Sequence, residues 1–237
     1  MVEKHVLYEV KGHVAVITLN RPKAKNAFSS EMIKLWRECL EKAKADDNVR
    51  VIVVTGKGDT FCSGGDIRDM ADGKLKSWDM KRFLWDGVHR IVLTLEDLDK
   101  PVIAAINGAA MGAGMDMAIM CDLRVCSDRA KLAESYIMMG LIPGDGGAYF
   151  LPRLTGVSKA LELLLTGDVL TPEEALKMGI VNRVVPHEIL MKETMKLAEK
   201  IAGRPPIAVR MMKRAVYQGL TSTLKSHLDY ISSQMSL

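Results

Sequence analysis

The sequence lacks the runs and clusters that would assign it to several common protein classes. No apolar run reaches the length of a membrane span, and Lys4, His5 and Glu9 interrupt any secretory signal at the start. The four cysteines have no Cys-x-x-Cys spacing, and the five histidines lack the pairing typical of metal ligands. We therefore expect a cytoplasmic protein with reduced thiols, no membrane segment and no metal site.

The charge of the chain is balanced and evenly spread. Thirty-three Lys and Arg residues stand against 29 Asp and Glu residues, and no basic tract typical of nucleic-acid or membrane binding occurs. We therefore expect no nucleic-acid partner. With 237 residues, 48% of them hydrophobic and 26% charged, the chain is long enough for one large α/β domain with a sizeable core.

Strand-like and helix-like segments alternate along the first part of the chain. Runs of β-branched or alternating apolar residues predict strands at Val6–Val10, Val14–Leu19, Val51–Thr55, Val102–Ile106 and Leu123–Cys126. Apolar residues at helical spacing predict helices after Ser29 or Ser30, from Ser77 to Leu98, and over Gly112–Cys121. This alternation indicates crossover units and a largely parallel sheet.

From Lys159 onward the pattern is mainly helical. Thr171–Glu174 is typical of a helix start, with Thr as the cap and Pro at the first helical position. A helix is predicted over Pro186–Ile201, and a further one ends the chain. We divide the chain into an α/β core domain of residues 1–185 and a helical segment of residues 186–237.

Two segments rich in small residues carry the strongest functional signal. Phe61–Ile67 and Asn107–Asp116 each follow an apolar β-branched run and lead into a helix-like stretch. This layout brings free backbone N–H groups to strand ends, where the backbone can approach a ligand closely. Two such donors that converge on one oxygen form an oxyanion hole, which stabilises a carbonyl that becomes an enolate or a tetrahedral anion.

The two small-residue segments, followed by Cys121-Asp122 and by Gly140–Gly147, resemble the enoyl-CoA hydratase/isomerase (crotonase) superfamily. The match runs from about Val6 to the end of the chain. The resemblance implies an α/β crotonase-like spiral of ββα units with a C-terminal helical trimerisation segment. It also implies an acyl-CoA thioester as substrate, no permanently bound cofactor, and a homotrimer or a dimer of trimers.

The resemblance also implies a substrate site. The oxyanion-hole donors would be the backbone N–H groups of Gly65 and Ala113. Residues of the same turn and of the segment near residue 25 would bind coenzyme A: Lys23, Lys25, Ala27, Cys62, Gly64, Gly65, Asp66, Ile67 and Gly112. Lysines suit phosphates because an ammonium supplies charge without strict geometry, although the two lysines are equally consistent with solvated surface.

The acid/base residues depart from the family pattern. The resemblance implies that family hydratases use two glutamates, and the corresponding positions here are Asp116 and Tyr136. The aspartate side chain is shorter than glutamate, so its carboxylate reaches about 1.3–1.5 Å less far. A phenol with a pKa of about 10 donates a hydrogen bond or proton more readily than it acts as a base. Asp145 is the candidate to compensate, because some branches carry a catalytic aspartate in or near this loop; alternatively, it caps the helix that starts at Gly146. Glu134 is a weaker candidate, placed on one face with Tyr136 if this segment is extended.

The leading hypothesis is hydration of a 2-enoyl-CoA, with Asp116 as one acid/base group and Asp145 or Tyr136 as the other. A double-bond isomerase, which needs one carboxylate, is the second, and a thioester hydrolase the third. The competing class is a non-catalytic acyl-CoA binder, because a fold alone does not prove activity. A nucleophilic role for Cys62 is disfavoured, because no histidine is placed near it in the sequence.

Overall fold

A larger and a smaller β-sheet form the framework of the protein, which we describe from a computed structural model over residues 4–66 and 77–235. The large sheet has the spatial order β1-β2-β3-β5-β7-β9 and the small sheet has the order β4-β6-β8. The large-sheet strands are β1 (Val6–Lys11), β2 (Val14–Leu19), β3 (Val51–Gly56), β5 (Val102–Ile106), β7 (Leu123–Ser127) and β9 (Arg183–Val185). All their pairings are parallel except the β1–β2 hairpin, which confirms the predicted largely parallel sheet.

The small sheet places the two small-residue segments side by side. Its strands are β4 (Thr60–Cys62), β6 (Ala109–Met111) and β8 (Leu132–Ala133), each of which follows a strand of the large sheet in the chain. Three times, therefore, the chain runs through a large-sheet strand and then a small-sheet strand. Cys62 of β4 is the register partner of Ala110 of β6, so both candidate oxyanion segments begin at neighbouring strands.

Helices cover both faces of the large sheet. Those before β7 are α1 (Ser30–Ala45), α2 (Ser77–Arg82), α3 (His89–Glu96) and α4 (Ala113–Ile119). Those after it are α5 (Gly147–Thr155), α6 (Val157–Thr166), α7 (Pro172–Lys177), α8 (Leu190–Ala202), α9 (Pro206–Gly219) and α10 (Leu224–Met235). The Ser29 side chain caps α1 by accepting the Met32 N–H, and Thr171 and Glu174 form the capping box of α7.

Alternate residues of the central strands enter two separate cores. Ile17 of β2 and Ile52 of β3 pack with Trp36 of α1 in the larger core. Val16 and Val53 point the other way and join the core under α8. Because both faces are buried, these strands read as continuous apolar runs, as strands of parallel sheets do.

The second part of the chain departs from the predictions in detail. The segment of Glu134 and Tyr136 is not extended, because Ser135–Met139 forms a 3-10 turn, so the strand face considered for these two residues does not form. The helix predicted over Pro186–Ile201 begins with a 3-10 turn before α8, and α8 packs into the core under β2 and β3. The division at residue 185 stays a prediction. Within residues 4–66 and 77–235, no helix is both long and apolar enough to cross a membrane.

Candidate active site

The two candidate oxyanion donors lie on segments in direct contact. A Cβ atom added at Gly114 would lie 2.1 Å from the carbonyl oxygen of Cys62, so only glycine permits this approach. The backbone N–H groups of Gly65 and Ala113 donate to no acceptor within the part of the chain that the structure describes. Gly65 is exposed, whereas Ala113 is buried at the start of α4. Neither donor is engaged by a described residue, which is what a candidate oxyanion site requires.

The predicted coenzyme A segments also lie against each other. The Ser63 N–H donates to the Lys25 carbonyl oxygen at 3.1 Å, and the Phe28 N–H donates to the Gly64 carbonyl oxygen at 2.8 Å. Lys23 and Lys25 are exposed beside this contact, and Ala27 is buried beneath it. The arrangement gives a glycine-rich backbone flanked by two exposed lysine side chains.

Two predicted binding residues have structural partners instead of open faces. Asp66 is buried and forms an ion pair with Arg21 at 3.1 Å, which ties the first turn after β2 to the oxyanion segment. The Cys62 side chain is fully buried and donates to the Asn26 carbonyl oxygen. Burial raises the pKa of Cys62 to about 12, so the group stays a thiol and not a nucleophilic thiolate. Gly112 precedes α4, and Ile67 lies outside the described residues.

The three predicted catalytic residues meet in one hydrogen-bonded cluster. The Tyr136 hydroxyl donates to Oδ2 of Asp116 at 2.6 Å and lies 3.1 Å from Oδ2 of Asp145. The backbone N–H of Asp145 donates to the same Asp116 oxygen at 3.1 Å. Both carboxyl groups are buried. The alternative role of Asp145 as a helix cap is not found, because its Oδ1 has no hydrogen-bond partner among the described residues and its Oδ2 meets the Tyr136 hydroxyl.

Glu134, the weaker candidate of the sequence interpretation, lies beside this cluster. It is buried, and neither of its carboxyl oxygens has a hydrogen-bond partner among the described residues. A Cβ atom added at Gly147 would lie 2.2 Å from Oδ1 of Asp116 and 3.0 Å from both carboxyl oxygens of Glu134. The space left by this glycine is therefore filled by two carboxyl groups. The glycine pair Gly146-Gly147 was the sequence signal for this close approach. The pair does not by itself point to Glu134, whose burial depends on the 3-10 turn that follows it.

Burial determines which groups of the cluster hold protons. It raises the pKa of Asp116 to about 7, against the opposing hydrogen bond from Tyr136. Burial, followed by the nearby Asp116, raises the pKa of Glu134 to about 10 and that of Tyr136 far above its usual range. The pKa of Asp145 is raised by burial, although Tyr136 and His89 act against this. At neutral pH, Glu134 and Tyr136 are neutral, while Asp116 can both take and give a proton.

Replacing Glu134 by Gln is expected to make stability less dependent on pH. Above about pH 4.3 the unfolded chain loses the Glu134 proton that the folded protein keeps, so the free energy of unfolding falls as the pH rises toward about 10. Glu134→Gln does not lose stability in this way. The unfolding temperature of the variant minus that of wild type should therefore be larger at about pH 9 than at about pH 5. Thermal unfolding at both pH values measures it. The exposed Glu199→Gln is the control, and a pH-independent difference for Glu134→Gln would contradict the assignment.

With this geometry established, comparison with known proteins decides the family. A family model described as "Enoyl-CoA hydratase/isomerase" matches residues 9–235. The chain belongs to the enoyl-CoA hydratase/isomerase family. It is 35% identical to the "Short-chain-enoyl-CoA hydratase" of Clostridium acetobutylicum, over 96% of this chain and 87% of that protein. It is also 35% identical to the "1,2-epoxyphenylacetyl-CoA isomerase" of Escherichia coli, over 94% of this chain and 86% of that protein.

Solved structures of the family have the same fold. The crystal structure of the enoyl-CoA hydratase from Bacillus anthracis superposes with a TM-score of 0.93 at 33% identity, covering 98% of this chain and 90% of that one. This confirms the predicted crotonase-like α/β fold. Within that fold, this chain brings Asp116, Tyr136 and Asp145 into one bonded set.

Proposed function

We propose that this protein adds water across the double bond of a 2-enoyl-CoA thioester. The observation that carries the proposal is the bonded cluster of Asp116, Tyr136 and Asp145. It lies one helical turn from the Ala113 N–H group, which has no acceptor among the described residues. Hydration needs one group that removes a proton from water and one that protonates carbon, close to an oxyanion site. The relatives named as hydratases support this choice over other reactions of the family.

Each step has a candidate group in the cluster. The N–H groups of Gly65 and Ala113 would bind the thioester oxygen, which becomes negative as water adds to C3. The Asp116 carboxylate would take the proton of that water, since its pKa of about 7 leaves it substantially ionised at neutral pH. Asp145, with its raised pKa, would deliver a proton to C2. Tyr136 stays protonated and holds the two carboxyl groups together.

The coenzyme A portion would lie across the contact between residues 23–28 and 63–66. The exposed Lys23 and Lys25 would face its phosphates, as separate positive charges that do not require fixed geometry. The backbone of Gly64 and Gly65, with Ala27 behind it, would line the path to the oxyanion site. No resident cofactor is needed, because the thioester itself stabilises the enolate.

We also propose a homotrimer or a dimer of trimers in the cytoplasm. Several large apolar side chains of α9, α10 and the turn between them are exposed on the single chain: Ile207, Met212, Val216, Leu220, Leu224 and Leu228. Apolar surface of this extent is typical of subunit interfaces. The four cysteines are free thiols, which suits a reducing compartment. Light scattering of the purified protein would test the assembly.

Turnover of crotonyl-CoA and of larger enoyl- and dienoyl-CoA thioesters tests the reaction. Loss of the conjugated thioester absorbance with a mass gain of one water is the expected result. An unchanged mass with a moved double bond would replace the proposal by an isomerase, and free CoA would replace it by a thioester hydrolase. Binding of CoA without any conversion would indicate a non-catalytic binder.

A further inference from the structure

A π-turn interrupts the long helix that approaches the acid cluster. Residues Phe83–Val88 form this turn between α2 and α3, within the helix that the sequence predicts from Ser77 to Leu98. The backbone N–H of His89 donates to the Leu84 carbonyl oxygen, five residues earlier. Such turns are rare and occur frequently at functional sites.

The π-turn directs two side chains to the loop that carries Asp145. Nε2 of His89 lies 2.7 Å from the Gly144 carbonyl oxygen and 3.9 Å from Oδ1 of Asp145. The Leu84 side chain lies 3.9 Å from the position that a Cβ atom of Gly144 would take. Because a carbonyl oxygen only accepts, Nε2 of His89 carries the hydrogen and donates it.

The contacted carbonyl belongs to the same peptide group as the Asp145 N–H. That N–H donates to Oδ2 of Asp116. A planar, rigid peptide unit is thus held at both ends, by His89 at its oxygen and by Asp116 at its nitrogen. Rotation of this unit would break both bonds and move the Asp145 side chain away from Tyr136.

We propose that His89 is a positioning residue, which fixes the Gly144–Asp145 peptide and so holds Asp145 against Tyr136 and Asp116. The inference rests on the proposed function for its effect on turnover, but not for its effect on the loop. His89 does not touch the reacting atoms in this role. Its ring packs edge to face with Trp85, at a centroid distance of 5.9 Å, which fixes the direction of Nε2.

Two variants separate the hydrogen bond from the bulk of the ring. His89→Phe keeps an aromatic ring beside Trp85 but removes the donor, whereas His89→Gln keeps an N–H at similar reach. His89→Leu takes the place of the Phe variant if the latter does not fold. His13→Phe is the matched control, because the ring of His13 also bonds a backbone carbonyl, that of Asn48, on the exposed β1–β2 hairpin.

The loop is measured first, by amide hydrogen exchange in the free protein. Loss of one hydrogen bond should make the Asp145 amide exchange about 5-fold faster in His89→Phe, with recovery in His89→Gln and no change in His13→Phe. This readout does not need any turnover, so it remains decisive if the protein hydrates nothing. Unchanged exchange in His89→Phe, or faster exchange that Gln does not reverse, would overturn the proposal.

Turnover is the second readout. Misplacement of a reacting group by about 1 Å costs up to about 10²-fold, so kcat should fall by about 10- to 100-fold in His89→Phe. KM should change less than about 3-fold, because His89 belongs to none of the segments proposed to bind coenzyme A. His89→Gln should restore kcat. A rise in KM at unchanged kcat would assign His89 to substrate binding and overturn the positioning role.

Discussion

Asp116→Asn is expected to lower kcat for hydration by about 10²- to 10⁴-fold. The amide has nearly the shape of the carboxylate, but it cannot accept the proton of the attacking water. Its oxygen can still accept from the Tyr136 hydroxyl and the Asp145 N–H, so the loop should keep its position. Steady-state kinetics with crotonyl-CoA, together with a thermal unfolding curve, measures both effects.

The matched control is Asp168→Asn, an exposed aspartate with the same change of charge. It should leave kcat within about 3-fold of wild type. In wild type the rate should rise as the pH passes about 7, since the Asp116 base must lose its proton. This rising part of the pH–rate profile, the limb at about pH 7, should be absent from Asp116→Asn. An Asp116→Asn protein with wild-type kcat and the same limb would show that Asp116 is not the base.

Asp145→Asn distinguishes the two carboxyl groups. If Asp145 is the acid, the kcat of Asp145→Asn should be lower than that of wild type at every pH. The rise in rate at about pH 7, which reports Asp116, should remain. The buried tyrosine cannot replace it, because its pKa lies far above the working range. Retention of most activity in Asp145→Asn would assign proton delivery to another group.

The framework of the site could be predicted from local patterns in the sequence. Val102–Ile106 has the predicted bounds because a buried parallel strand reads as one apolar run. Thr171 caps its helix through contacts with Glu174 three residues away, so a short window contains the whole interaction. The small-residue segments were informative for a similar reason, since close backbone approach excludes larger side chains.

The inner partners of the site could not be predicted in this way. Glu134 is only a weaker candidate in the sequence, because charged residues are rarely buried without partners. Its burial follows from the 3-10 turn after it, which the local sequence pattern does not indicate. His89 lies 55 residues from Gly144 in sequence, and no helical periodicity announces a π-turn. The burial of Glu134 and the His89–Gly144 contact both depend on how distant segments pack. A short window of the sequence does not contain that information.

Gly147→Ala is expected to impair both catalysis and stability, although alanine normally favours a helix by about 1 kcal/mol over glycine. The new methyl group would lie 2.2 Å from Oδ1 of Asp116, with both Glu134 oxygens at 3.0 Å, so it must displace a buried carboxyl group. Overpacking of this kind costs about 1–3 kcal/mol, which outweighs the helical gain at its midpoint. A shift of Asp116 should lower kcat by about 10²-fold.

The informative comparison for Gly147→Ala is Gly219→Ala, also a glycine at one end of a helix, here the last residue of α9. Its added Cβ atom would meet the His227 ring at 3.4 Å, an ordinary contact, so stability should change little or rise slightly. Unfolding temperature and kcat, measured side by side, separate the steric effect on the acid cluster from the general effect of alanine. If Gly147→Ala retained wild-type kcat, the Asp116 and Glu134 carboxyl groups could move without any loss of activity. Proton transfer would then not depend on their fixed positions.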